Sequence, residues 1–321
     1  MTTRHTPRLS VVTSLYNSAP YVEAFCTRAA AAAQAIAPDL EIVLVNDGSP
    51  DQALQVALDV QRRDPRVRII DLSRNFGHHK ALMTGLRHAR GELVFLLDVD
   101  LEEEPEWLPR FHAELTTTGA DVVYGVQDAR KGGWLERTSG TLFFTLFNRM
   151  LAHPIPANVV TARLMTSRYV RALVAHEDQE VCLAGLWVLA GFEQRALTIH
   201  KHSRNSSTYT MRKRISVLVN ALTSFSNRPL IYIFQLGVSV MLLSIVAGSA
   251  LLYQALSGRV GVPGWASIMV SIWFLGGLTI FCLGVIGVYL AKVFTETKRR
   301  PYTVVRAEYG AETPSARESQ L

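Results

Sequence analysis

Hydrophobic and polar positions alternate between two periods over the first two hundred residues. Leu9-Ser-Val-Val-Thr-Ser14 is a short run rich in β-branched residues and predicts a strand. Ser18-Ala-Pro20 then opens a helix, with Ser18 as N-cap and Pro20 near N1; an Ala-rich run carries it to Ala37, and Pro38 stops it. The pattern repeats with a strand over Glu41 to Val45, closed by the turn signal Asn46-Asp-Gly-Ser-Pro50, and a helix from Asp51 to Arg62. Val67 to Leu72 is the next strand, and His78 to Arg90 the next helix, with Gly91 as C-cap. Leu93 to Leu97 is a fully apolar strand that ends in Asp98-Val-Asp100. Later elements are a strand at Asp121 to Gly125, helices at Leu135 to Leu151, Arg168 to Ala175 and Val181 to Ala190, and a strand at Phe192 to Ile199. Such alternation predicts an α/β domain with a mostly parallel sheet covered on both faces. Ligands of such sheets bind at the carboxyl ends of the strands. Asn17, Asp47, Arg74, Asn75, Asp98 and Asp100 all follow strand ends and are expected to gather on that edge.

The last third reads differently. Met211, Ile215, Leu218, Leu222 and Phe225 form one apolar face of a helix that keeps Arg212 and Lys213 off it, the pattern of an interfacial amphipathic helix over 211–228. Leu230 to Leu252 and Ile268 to Leu290 are uncharged and each long enough to span a bilayer. Basic residues flank both runs, Arg212, Lys213, Arg214 and Arg228 before the first and Lys292, Lys298, Arg299 and Arg300 after the second. The positive-inside bias then puts both termini in the cytoplasm with a short external loop. The expected organisation is a cytoplasmic domain over 1–210, the interfacial helix, two transmembrane helices within 229–294 and a cytoplasmic tail over 295–321.

Composition refines this picture in two ways. Of 321 residues, 33 are Lys or Arg and 27 Asp or Glu, a net charge of +6. The basic residues cluster beside the apolar runs, which suits an anionic membrane surface; no zinc-finger spacing and no basic region with heptads points to nucleic acid. The three cysteines, Cys26, Cys182 and Cys282, are far apart in the chain and suggest neither a disulfide framework nor a metal site.

The chemistry is concentrated at Asp98 and Asp100. Two carboxylates two residues apart, where a buried strand frays into a loop, can aim at one cation; Mg²⁺ takes one or two carboxylates plus substrate phosphates. Glu102 is a candidate third ligand, and Glu103 and Glu104 read as a solvated face. His78 and His79 read as exposed residues at a helix start, and Trp134 and Trp187 as packing residues.

The order of Leu15-Tyr-Asn17, Val45-Asn-Asp-Gly-Ser-Pro-Asp51, Leu72-Ser-Arg-Asn-Phe-Gly77, Asp98-Val-Asp-Leu101 and Asp121-Val-Val-Tyr-Gly125 resembles family 2 glycosyltransferases. More narrowly, with Thr223-Ser-Phe-Ser-Asn-Arg-Pro-Leu230 before the first span, the chain is similar to the polyprenyl-phosphate branch, which contains dolichol-phosphate mannose synthase and bactoprenol glucosyltransferases. The resemblance implies a GT-A fold and inverting transfer of a sugar from a nucleotide-sugar, a UDP-sugar in first place, to a polyprenyl phosphate at the cytoplasmic face of the inner membrane. It further implies nucleotide-sugar binding by Tyr16, Asn17, Asp47, Asn75 and Asp98, and Mg²⁺ or Mn²⁺ on Asp98, Asp100 and Glu102. Catalytic roles fall to Asp98, Asp100, Arg137 and Arg163, and the acceptor phosphate to Arg137, Arg163 and Arg204. Where many relatives carry Asp-Phe-Arg, this chain reads Thr161-Ala-Arg163. Membrane lipids and a homo-oligomeric partner complete the expected set. Two other readings stay open: a processive polysaccharide synthase, against which Gln127-Asp-Ala-Arg130 is followed by Lys131, and a non-catalytic membrane scaffold.

Overall fold

The structure is a computed structural model and describes residues 8–127, 156, 158–200, 228–257 and 264–310. The predicted helices at 135–151 and 211–228, and with them Arg137 and Arg204, lie outside the described residues. The described residues up to His200, together with those from Arg300 onward, form one compact unit; those from Arg228 to Arg299 form a second.

The first unit is built on one mixed sheet of eight strands: β1 (Leu9–Leu15), β2 (Leu40–Asn46), β3 (Val67–Leu72), β4 (Leu93–Leu96), β5 (Val122–Gln127), β6 (Val159–Thr166), β7 (Gln194–Ile199) and β8 (Val305–Tyr309). Their order across the sheet is β7-β5-β6-β4-β1-β2-β3-β8. β4, β1, β2 and β3 are parallel neighbours. β6 lies antiparallel between β4 and β5, and β8 closes the far edge antiparallel to β3. β1, β2 and β3 are buried at every residue, as expected for strands covered on both faces. The connecting helices are α1 (Ala19–Gln34), α2 (Ala53–Arg63), α3 (His78–His88) and α4 (Leu108–Thr118), followed by α5 (Ser167–Val174) and α6 (Leu183–Leu189). One hydrophobic core joins the sheet to α1, α2 and α4 through residues such as Leu9, Phe25, Ile42, Phe95 and Phe111.

Three local expectations are corrected. Ser18 occupies the N-cap of α1, but its side chain makes no capping hydrogen bond; Asp51 Oδ2 instead accepts from the Ala19 amide at 2.9 Å. α3 ends at His88, and Ala89 is its C-cap. Gly91 is needed for a different reason, because a Cβ there would stand 2.5 Å from the Ser10 amide nitrogen. The largest change is β8: residues 305–309, within the expected cytoplasmic tail, form a strand of the same sheet that the sequence does not predict.

The second unit holds two long helices, α7 (Arg228–Leu256) and α8 (Trp265–Thr297). Among the described residues one segment, the 27 residues Ser271–Thr297, is long and apolar enough to cross a membrane, and none of it is buried inside the structure. The apolar stretch Arg228–Ser244 of α7 is shorter than that.

Candidate active site

The parallel strands β1, β2, β3 and β4 deliver their carboxyl ends to one edge, and hydrogen bonds between the loops that follow them join those loops into one surface. At the end of β1, Tyr16 is 49% exposed and Asn17 takes a left-handed backbone with φ 51°. The Asn17 amide donates to Ser49 Oγ at 2.8 Å, in the turn after β2. In that turn Gly48 has φ 58°, and a Cβ on it would stand 2.5 Å from the backbone of Arg74 and Asn75, so the turn packs directly on the loop after β3. Only glycine meets both demands without strain.

Asp47 is 1% exposed. Its two carboxylate oxygens accept from the amides of Phe76 at 2.7 Å and Gly77 at 3.0 Å. Burial pushes its carboxyl above the ordinary carboxylate range, more than the two amides and the charges of His78 and Arg74 pull it down. Asp47 therefore anchors the Phe76–Gly77 loop that leads into α3, and Arg74 stacks over Phe76 at 4.1 Å beside it. Asn75 is exposed in the same loop.

The acidic end of β4 is held from two sides. His78, the first residue of α3, brings Nε2 to 3.3 Å from Asp98 Oδ1, and its Nδ1 lies 2.9 Å from Ser14 Oγ. On the other side Thr161 Oγ1 donates to Asp98 Oδ2 at 3.1 Å. Burial acts to lower the His78 pKa; the hydrogen bond and charge of Asp98, with Asp47 and Glu103, outweigh it and raise it. Asp100 Oδ1 accepts from the Glu102 amide at 3.0 Å, which closes a tight turn with Leu101 at φ 60°.

The structure brings Tyr16, Asn17, Asp47, Asn75, Asp98 and Asp100 to this edge. It does not bring Glu102 into a shared metal cluster: among the described residues no group of three His, Cys, Asp or Glu side chains stands close enough to hold a metal. Glu103, read as solvated, is 1% exposed, and its Oε1 accepts from the Thr161 amide at 3.1 Å. Arg163 is likewise 1% exposed. Its Nε and Nη2 donate to the carbonyls of Thr161 and Val160 at 3.2 and 3.3 Å, and its guanidinium lies over the Trp187 ring. Burial lowers its pKa to about 9, so it remains charged at neutral pH. In this arrangement Arg163 braces β6 from within instead of presenting its charge to an acceptor. His78 and Thr161 are the site residues to which the sequence alone assigns no role; the signal for His78 is its place at a helix start directly after a strand-end loop.

The model of the family described as "Glycosyl transferase family 2" matches residues 10–174. This chain belongs to that family. A putative glycosyltransferase of Mycobacterium tuberculosis is 49% identical over 98% of this chain and 92% of its own length. The bactoprenol glucosyl transferase of Shigella phage SfV is 29% identical over 94% of this chain and 98% of its own. Among solved structures, the mannosyltransferase PcManGT from Pyrobaculum calidifontis, in complex with GDP-Man and Mn²⁺, shares the fold with a TM-score of 0.50 at 16% identity, over 92% of this chain and 87% of that one. The family 2 member described here is thus a glycosyltransferase with a GT-A-like α/β fold and a mixed, mostly parallel sheet.

Proposed function

We propose that the chain transfers a sugar, with inversion, from a nucleotide-sugar to a polyprenyl phosphate at the cytoplasmic face of the inner membrane, a step in cell-envelope glycan or lipid modification. The observation that carries this reading is the extent of the similarity to the bactoprenol glucosyl transferase, which runs through the helical region as well as the sheet domain. UDP-sugars are the favoured donors, with Tyr16, Asn17, Asp47 and Asn75 around the nucleotide. Asp98 and Asp100 offer two hard oxygen donors at a strand end, the number Mg²⁺ takes when phosphate oxygens and water complete its shell. Mg²⁺ or Mn²⁺ held there supplies positive charge against the leaving diphosphate. Arg137 and Arg204 are the cations assigned to the acceptor phosphate.

Thr161 fits a phosphate acceptor. A sugar hydroxyl must lose a proton as it attacks, and a general base contributes about 10²–10⁴-fold to such a step. A lipid monophosphate has a second pKa of about 6, as other phosphate monoesters do, and is largely dianionic at neutral pH. It needs orientation and nearby positive charge more than a base. Thr161 leaves out the carboxylate that would repel it, and its hydroxyl holds Asp98.

The fold also supports a two-span anchor. β8 pairs with β3 in the sheet that holds the site, although α7 and α8 lie between β7 and β8 in sequence. A chain that leaves the domain and returns to its sheet crosses the membrane an even number of times. On this reading Ser271–Thr297 is one crossing and α7 the other.

A panel of radiolabelled nucleotide-sugars, incubated with membranes containing the chain and undecaprenyl phosphate, tests the reading. One donor is expected to yield a lipid product with inverted anomeric configuration; a retained configuration contradicts the inverting mechanism.

A further inference from the structure

Beyond its pairing with β3, the strand that follows the helical unit is tied to the edge where the site lies. Asp71 of β3 is buried, its side chain 3% exposed, while its partner Arg306 on β8 is 55% exposed. Arg306 grips both oxygens of that carboxylate, Nε to Oδ2 at 2.9 Å and Nη2 to Oδ1 at 3.2 Å, and Nη2 also donates to the Leu72 carbonyl at 3.2 Å. Asp71 Oδ1 accepts in addition from Asn46 Nδ2 at 2.8 Å. Asn46 is the last residue of β2, and its Oδ1 accepts from the Ser49 amide at 3.3 Å. Ser49 Oγ donates to Asp51 Oδ1 at 2.5 Å and receives the Asn17 amide at 2.8 Å. An unbroken polar path therefore runs from residue 306 through Asp71, Asn46 and Ser49 to Asn17.

We propose that Arg306 is a positioning residue for the nucleotide site: by holding Asp71 it fixes the Asn46 side chain, and through it the 46–51 turn against which Asn17 is set. The physical ground is the cost of a buried, half-satisfied carboxylate. Without Arg306, Asp71 keeps its charge with one neutral partner in a place that water reaches poorly, and it must draw in solvent or take up a proton. Either change loosens Asn46. A bidentate guanidinium suits this task because its fork matches both carboxylate oxygens at once. The sheet domain's donor edge then depends on a segment that lies beyond both long helices in sequence, so a chain shortened before residue 300 lacks part of its own site framework.

This inference rests on the nucleotide reading of Tyr16, Asn17 and the 46–51 turn, and the experiment separates the two. The full chain in detergent is titrated with UDP in the presence of Mn²⁺, as wild type, Arg306→Ala, Arg306→Lys and Glu308→Ala, with thermal midpoints recorded for each. Glu308 lies on the same strand, but its partner is His88, 3.4 Å away at the end of α3, off the path. Arg306→Ala is expected to weaken UDP binding about tenfold, the scale of one charge-assisted hydrogen bond. Arg306→Lys, with a point charge in place of a fork, is expected to lose less, and Glu308→Ala to stay within about twofold. Where Arg306→Ala does not fold, the lysine variant carries the test. Unchanged UDP affinity in the Arg306 variants overturns the inference, as does an equal loss in Glu308→Ala with the same fall in midpoint. A wild-type chain that binds no UDP would overturn the nucleotide reading and this inference with it, a result distinct from the other two.

Discussion

Each oxygen of Asp98 has a protein contact, His78 on one and Thr161 on the other, and this decides what substitutions there do. On the proposed function Asp100 holds a divalent cation against the diphosphate, so Asp100→Asn is expected to lower transfer at least about a hundredfold, with EDTA abolishing the wild-type activity; transfer that continues undiminished in EDTA contradicts the metal assignment. Thr161→Ala removes one hydrogen bond to Asp98 and no base, so kcat is expected to stay within about tenfold, below what a general base is worth. A fall of a hundredfold or more, with folding intact, would give Thr161 a chemical role. Asp98 and Asp100 were legible from the sequence because two carboxylates directly after five apolar residues stand at a buried strand end, where solvated decoration is uncommon. Arg163 was not: a motif position says that an arginine is present, and only the packing shows it turned inward onto Trp187. Glu103 was misread for a similar reason, since a run of three glutamates looks solvated until one of them is found under the Thr161 amide.

Among the secondary-structure elements, the strongest joint is Asp51. Its Oδ2 takes the first amide of α1, and its Oδ1 takes the first amide of α2 and the Ser49 hydroxyl. One carboxylate therefore caps two helices whose starts flank the candidate site. Asp51→Ala is expected to cost about 2 kcal/mol, two caps at roughly 1 kcal/mol each, measured by denaturant unfolding of the full chain. Burial acts to raise the Asp51 pKa, but the Ser49, Ala19 and Ala53 hydrogen bonds lower it overall. A depressed folded-state value means stability that is present above the unfolded carboxylate pKa and lost as pH falls through the folded one. Wild type should thus lose the advantage over Asp51→Ala on acidification, and a gap that widens on acidification would contradict the assignment. The strands β1 to β4 and helices α2 and α3 were readable within a residue or two because turn signals punctuate each of them, while α1 ends at Gln34, three residues before the expected Ala37. β6 was not, because Arg163 interrupts an otherwise apolar run. β8 was not, because Val305–Tyr309 alternates too briefly to stand out, and only the free edge of β3 gives it a partner.

For the molecule as a whole, the return of β8 to the sheet keeps residues 305–309 in the transferase domain, and the proposed pair of crossings is consistent with that return. In a variant lacking Cys26, Cys182 and Cys282, a cysteine at Ser257 is expected to react with an impermeant thiol reagent from outside intact cells, and one at Ser315 is not. Labelling at Ser315 from outside contradicts the proposed orientation. The two long apolar runs were plain in the sequence; that the chain comes back to complete the sheet was not, because pairing over more than two hundred residues leaves no local pattern.

The most direct measurement offers the purified chain, in lipid vesicles, the accepted nucleotide-sugar with either undecaprenyl phosphate or undecaprenol, and follows label into lipid for wild type and Asp98→Asn. The account predicts transfer to the phosphate by wild type, loss of at least about a hundredfold in Asp98→Asn, and none to the alcohol. Equal transfer to the alcohol, or wild-type transfer that ignores the lipid phosphate, would contradict it.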